Sequence, residues 1–389
     1  MRRKIYQELL QWKQRSGESA LLVQGARRVG KSYIVEAFAK AEYKSYILID
    51  FNLVDQPVKE MFEHDLVDLK TFFMKLTTYY GVKLYERESL IIFDEVQLFP
   101  RARSAIKYLV ADGRYDYIET GSLISIRENV KDILIPSEED HVDMYPLDFE
   151  EFLWANGNDT MMDFIRDCYR KKAPLGQALH RKAMDLFRQY LIVGGMPQAV
   201  NAFVKHNDFD EVDRVKRRIL NLYRDDIRKH AKGYEMKVEA IYDEIPSQMK
   251  NQNQHFKLSS LKQGARFDEY KDAMFWLSDA MIVNHCYNAT EPTFGLNLNR
   301  DRTLLKCYMG DTGLLISHAF DENGIVTGEV YKKLLLDKLE VNMGMVMENM
   351  VAQMLTASGH KLYFYSNSSR SDASSRMEID FLITEEGKV

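Results

Sequence analysis

The chain has 389 residues, of which 46% are hydrophobic, 12% aromatic and 29% charged, with 20 Gly and 8 Pro. This excludes a single small binding module, a disordered chain and a fibrous one, and at roughly 150 residues per domain it predicts about two to three domains. Lys and Arg number 53 against 58 Asp and Glu, a formal net charge of -5, so any nucleic-acid contact requires a local basic surface.

Cys168, Cys286 and Cys307 are widely spaced and lack zinc-ligand spacing, which reads as buried thiols in a reducing compartment. Residues 1–17 carry charge at both ends of a short amphipathic helix and lack the apolar core of a signal peptide. No apolar run approaches the roughly 18 to 20 residues that span a bilayer. The expectation is a cytoplasmic protein with no membrane partner.

In chain order, short apolar runs at 20–24, 45–51, 89–94, 115–120 and 141–145 alternate with helical stretches, the signature of a parallel sheet covered on both faces. From 149 to about 232 the pattern is helical, with Leu186, Tyr190 and Val193 at helical spacing, a break at Gly194-Gly195-Met196-Pro197, and a second helix rich in Arg and Lys. Between 236 and 287, short helices including 268–277 lead to a strand at 281–287, an arrangement compatible with a winged helix. A strand at 306–309, a helix at 344–357 and strands at 362–366 and 378–384, separated by a Ser-rich turn at 367–375, complete the pattern.

Gly25-Ala26-Arg27-Arg28-Val29-Gly30-Lys31-Ser32 fits GxxxxGK[ST] and lies between a predicted strand and a helix that opens at Tyr33. The glycines let backbone N–H groups turn toward a phosphate, and the helix N-terminus adds its positive end. Lys31 would reach the β- and γ-phosphates of ATP, and the Ser32 hydroxyl would hold Mg²⁺. The run 89–93 ends in Asp94-Glu95. In that position Asp94 would order the shell of the metal and Glu95 would act as general base on water. The doubled acid favours hydrolysis over phosphoryl transfer. Thr120 and Ser122, after the next strand, are candidate sensors of the third phosphate, or caps of the following helix.

Together with later segments, these residues resemble the prokaryotic archaeal-type ATPases of the AAA+ class, in which a P-loop domain precedes a C-terminal domain of unknown function. The matching stretches are GARRVGKS, IIFDEVQ, ETGS, MYPLDFEEFL, YLIVGGMPQAV, YRDDI, KCYMGDTGLL, GMVMENMVAQML and MEIDFLI. The resemblance implies an α/β fold: an additional-strand (ASCE) P-loop NTPase sheet, a helical connector, a winged-helix unit and an incomplete nuclease-like region. The expected domains are 1–155, 156–235, 236–290 and 291–389.

The sequence departs from the family pattern twice. Pro136-Ser137-Glu138-Glu139-Asp140 stands where many relatives carry an Arg, which leaves Arg101, Arg103 and Arg127 as candidates for an arginine finger. In the nuclease-like fold a helix Glu and a strand Asp bind a metal and the next strand supplies Glu-x-Lys. Glu348 and Asp380 match the first two, but residues 385–389 form the turn before the third. The natural protein is therefore expected to continue past Val389, and the centre as it stands is expected to be an inactive remnant.

The basic segment Arg214 to Lys232 reads as a salt-bridged face ahead of a nucleic-acid track. Lys257, Lys262, Arg266 and Lys271, around the winged-helix candidate, are better placed for DNA or for a protein partner. Three readings follow: a Mg²⁺-dependent ATPase that moves its C-terminal modules, a slow nucleotide-gated switch, and an ATP-driven nuclease. Candidate partners are ATP, DNA or protein, and further copies of the chain.

Overall fold

The computed structural model describes residues 1–15, 17–122, 137–251, 255–320, 343–367, 377–384 and 389. They form two compact units, Arg2–Met144 and one built on Tyr145–Val389. Among the described residues, no helix is long and apolar enough to cross a membrane, and Cys168, Cys286 and Cys307 are buried free thiols.

The first unit holds five parallel strands: β1 (Ala20–Gly25), β2 (Ser45–Asp50), β3 (Ser89–Asp94), β4 (Asp116–Gly121) and β5 (Glu139–Met144). Their order is β2-β3-β4-β1-β5. Continuous apolar runs suit strands covered on both faces, and the two-residue period of a strand divides β3 between two cores. Leu90 and Ile92 join Leu21, Val23 and Ile118 beneath helix Lys31–Glu42, which contributes Ile34, Val35, Phe38 and Ala39. Ile91 and Phe93 point the other way, into an aromatic core with Phe62, Phe72, Phe73, Ile106 and Leu109. Each such ring or branched side chain contributes about 1.5–3 kcal/mol on burial.

Because β4 lies between β1 and β3, the loop after β1 and the carboxylates ending β3 flank the end of β4. This is the additional-strand order of a P-loop sheet. Ligands of such sheets bind beyond the carboxyl ends of the strands.

Arg103 is corrected here as a finger candidate. It lies inside helix Pro100–Asp112, 2% exposed, with Nη2 and Nε donating to the Glu139 carboxylate at 2.7 and 3.2 Å. Burial pushes the Glu139 carboxyl up, but His141, Glu119 and Arg103 outweigh it and bring it down to about 2. Glu119, fully buried beside this pair, is raised well above the usual carboxylate range by desolvation and then by the Glu139 charge. Arg103 is therefore the counter-ion of the buried Glu139 on β5, with Glu119 of β4 beside the pair. Arg101 is exposed, its Nε donating to the Phe62 carbonyl at 3.4 Å, and Arg127 lies outside the described residues.

The second unit combines helices with a four-stranded sheet, β6 (Val283–Ala289), β7 (Arg300–Met309), β8 (Leu362–Asn367) and β9 (Met377–Leu382), in the order β7-β6-β8-β9. β6 is antiparallel to β7 and parallel to β8, and β8 is antiparallel to β9. The boundary expected at 290/291 thus falls inside the β6–β7 hairpin, whose strands share one sheet with the C-terminal pair. The Ser-rich turn lies almost wholly outside the described residues, as does most of 385–389.

The most specific family segments meet at one junction. Helix Phe149–Ala155 starts at a capping box, with Asp148 accepting from the Glu151 amide at 2.8 Å and Glu151 accepting from the Asp148 amide at 3.2 Å. Just before it, Leu147 donates its amide to the Gly195 carbonyl at 2.7 Å. The Gly195 amide donates to Asp311 at 2.6 Å, and the other Asp311 oxygen caps helix Thr312–Ala319 at the Leu314 amide, 2.9 Å away. A Cβ on Gly195 would lie 2.1 Å from the Leu147 carbonyl oxygen, and one on Gly313 would lie 2.4 Å from that of Val193. Gly194 has φ 78 and is packed against Asp311 as well. Lys216, fully buried, donates to the Ile192 and Gly313 carbonyls at 2.8 and 3.1 Å. Burial pushes its ammonium down to about 8, against the pull of Asp213 and Asp311. GGMP and DTGLL are the two halves of a packing joint.

Candidate nucleotide-binding site

Three strand ends and one helix start build the site. β1 ends at Gly25, where a Cβ would stand 2.3 Å from the Met144 carbonyl oxygen of the neighbouring β5, so only glycine fits. The chain then turns through Ala26, Arg27, Arg28 and Val29, with Arg28 at φ 69 and Gly30 at φ 99. Left-handed backbone of this kind turns successive N–H groups to one side, and Val29, fully buried, anchors the loop in the core. Lys31 opens the helix. Its ammonium is held over the loop by the Gly25 and Ala26 carbonyls at 3.0 and 3.1 Å. Arg27, Arg28 and Tyr33 face outward, Tyr33 at 62% exposure.

Ser32, the next residue, donates its hydroxyl to Asp94 Oδ1 at 2.7 Å, joining the helix start to the end of β3. Thr120, fully buried at the end of β4, donates its hydroxyl to the same carboxylate oxygen. Register explains the meeting, because Val23 pairs with Thr120 on one side and Phe93 with Glu119 on the other. Ser122 lies immediately past β4, half-buried, and the structure brings Thr120 rather than Ser122 to Asp94.

Glu95 has φ 53 and ψ 46 at the start of the turn Val96–Leu98. A non-glycine residue held in this region costs about 1–3 kcal/mol and is concentrated at functional sites. The Glu95 amide donates to Thr120 Oγ1 at 3.3 Å, and its carboxylate accepts from Gln97 Nε2 at 2.5 Å. Gln97 was not legible as a site residue, although its place two residues past the doubled acid was the available signal.

Glu348 and Asp380 are also brought together, in the second unit, but around an ammonium. Lys306 on β7 lies 3.1 Å from Glu348, 3.0 Å from Asp380 and 3.6 Å from Glu378. Tyr308 donates its hydroxyl to Glu348 at 2.5 Å. Sequence reasoning passed over Lys306, Tyr308 and Glu378. The available signal was the i, i+2 spacing that puts Lys306 with Tyr308, and Glu378 with Asp380, on one face of a strand.

Four arginines of the basic segment in helix Phe209–His230 are paired: Arg214 with Glu211 at 2.9 Å, Arg217 with Asp213 at 2.7 Å, Arg224 with Asp243 at 2.9 Å, and Arg228 with Glu239 at 2.9 Å. Lys257, Lys262, Arg266 and Lys271 are exposed and have no carboxylate partner among the described residues.

Residues 17–153 match a family model described as an AAA domain, and residues 184–323 match one described as a domain of unknown function. No curated protein matches. Among solved structures, the chain is similar to the Walker-type ATPase paby2304 of Pyrococcus abyssi, with 13% identity, 82% of this chain and 95% of that one covered, and a TM-score of 0.45. The ORC1 protein of Aeropyrum pernix in complex with DNA matches at 10% identity, 84% and 94% coverage and a TM-score of 0.30. Drosophila ORC bound to DNA matches at 13%, 78% and 90%, and 0.31.

Proposed function

We propose, from the match of residues 17–153 to a family model described as an AAA domain, that the chain binds ATP with Mg²⁺ and hydrolyses it, using the nucleotide state to shift its C-terminal part. The observation that carries the reading is the convergence of Ser32 and Thr120 on one Asp94 oxygen, beside a Glu95 held in left-handed backbone.

The donor set suits Mg²⁺. A serine hydroxyl and a carboxylate 2.7 Å apart are hard oxygen donors, and this ion takes one or two protein ligands together with phosphate and water. Ser32 and Asp94 would hold it, and bound there it neutralises charge on the phosphate oxygens. Lys31 exchanges its two loop carbonyls for phosphate oxygens, and the loop amides surround the phosphates. Glu95 takes the proton of the attacking water, oriented by the Gln97 amide. Thr120, touching both Asp94 and the Glu95 amide, connects the metal side of the site to the base side.

For a nucleic-acid partner we propose Lys257, Lys262, Arg266 and Lys271, the set without carboxylate partners, as the surface that meets the phosphates. Neutralising one of these cations should lower the salt slope of DNA binding by about 0.9.

Steady-state ATP turnover of wild type and Glu95→Gln, with and without double-stranded DNA, tests the reading. The expected result is turnover in wild type and its loss in the variant with ATP affinity retained. Negligible wild-type turnover under both conditions would replace hydrolysis with the slow nucleotide-gated switch.

A further inference from the structure

A nuclease-like metal centre at Glu348 and Asp380 requires both carboxylates to point at one divalent ion, with oxygens about 2.0–2.6 Å from it. The described side chains are arranged around a different cation. Nζ of Lys306 occupies the space between the acids, 3.1 Å from Glu348, 3.0 Å from Asp380 and 3.6 Å from Glu378. Among the described residues, no three His, Cys, Asp or Glu side chains are gathered closely enough to hold a metal.

We infer that Lys306 is the resident cation of this cluster, and that it closes the C-terminal site to divalent metals.

Two observations besides these distances support the assignment. The lysine is fixed from behind: its residue is 8% exposed on β7, paired with Cys286 of β6, and its ammonium sits 5.4 Å over the Phe364 ring. One acid is already engaged, because Tyr308 donates to the same Glu348 oxygen that accepts from Lys306. A cavity of about 340 Å³ opens beside the cluster, with Gln248, Phe256 and Tyr308 among its walls, so solvent ions reach the acids and the lysine is what excludes them. A divalent ion would have to displace a charged side chain whose own carboxylate partners sit around it.

The lysine comes from a strand that precedes the helix and strand of the nuclease-like pattern.

The test titrates Mn²⁺ by calorimetry, without nucleotide, into full-length protein carrying Asp94→Asn, which silences the proposed metal position of the first unit. That protein should give no saturable site. Adding Lys306→Met, or the neutral Lys306→Gln, should create one saturable Mn²⁺ site, abolished again by Glu348→Gln, and Mn²⁺ should then raise the thermal midpoint of the lysine variants only. A Mn²⁺ site present with Lys306 intact and lost on Asp380→Asn overturns the inference, as does failure of both folded lysine variants to gain one. Should neither variant fold, labelling of Lys306 by acetic anhydride in the Asp94→Asn chain decides. Labelling unchanged by millimolar Mn²⁺ supports the inference. A Mn²⁺-dependent rise, which shows the amine displaced, overturns it.

Discussion

Each of the two units holds a buried lysine, and the two ammonium groups are held in different ways. In the first unit Lys31 is held by two backbone carbonyls, and Asp94 is contacted by the hydroxyls of Ser32 and Thr120. In the second, Lys306 is bound directly by the acids. A carboxylate hydrogen-bonded only by neutral hydroxyls keeps its charge for an incoming cation, whereas one paired with a buried ammonium has already used it. On the two proposals made above, the same residue types serve a metal corner in one unit and a closed ion-pair cluster in the other. What decides between them is where the backbone lets the lysine rest.

The comparison breaks most visibly in turnover. Glu95→Gln should reduce ATP hydrolysis by about 10²- to 10⁴-fold, the usual worth of a general base, while Asp380→Asn should leave it unchanged. A steady-state assay in which both variants lose activity alike would end the distinction. Next in size is the buried pair that fixes β5: Arg103→Met strands the Glu139 charge and should cost about 3–5 kcal/mol in urea unfolding of the intact chain. Combining it with Glu139→Gln should recover most of that loss.

Lys31→Ala should weaken Mg-ATP binding by about 1.5–3 kcal/mol, the worth of hydrogen bonds to a charged group, or roughly 10- to 150-fold. Lys306→Gln should not change it, and calorimetry reads both. Gly195→Ala, which drives a methyl against the Leu147 carbonyl, should cost about 1–3 kcal/mol of stability and spare nucleotide binding.

The last test is a pH dependence, that of Glu119. Its folded pKa is raised above the unfolded value, so its contribution to stability is full below the ordinary glutamate range and declines as pH rises through the raised pKa. Glu119→Gln should flatten that decline in a series of denaturant midpoints from mildly acidic to alkaline pH.

How much of this was readable in the sequence follows the range of the signals. The first unit's strands are continuous apolar runs, and the spacing of Gly25, Gly30, Lys31 and Ser32 is local, so both sheet and loop were legible to within a residue or two. Arg103 was legible too, in retrospect: Ala102, Ala105, Ile106 and Leu109 mark the buried stripe of its helix, and it lies beside them. The second sheet was not. β6 reads as the strand of a small helical unit until Cys286 is seen to pair with Leu362, and no local pattern records that. Lys306 meets Glu348 and Asp380 only when β7, helix Met343–Ala357 and β9 converge, and no local pattern records that either. Gly194, Gly195 and Gly313 were visible as family markers, but the reason for them is the absence of room for a Cβ.

The bond from the Gly195 amide to Asp311 joins residues 116 positions apart in the chain. Because Asp311 also caps the helix that follows it, the turn at 194–197 and helix Thr312–Ala319 cannot open separately without stranding a buried carboxylate. They should behave as one cooperative unit of local unfolding. In native-state hydrogen exchange the amides of Gly195 and Leu314 are expected to share a single opening free energy, although nothing in the order of synthesis brings them together early.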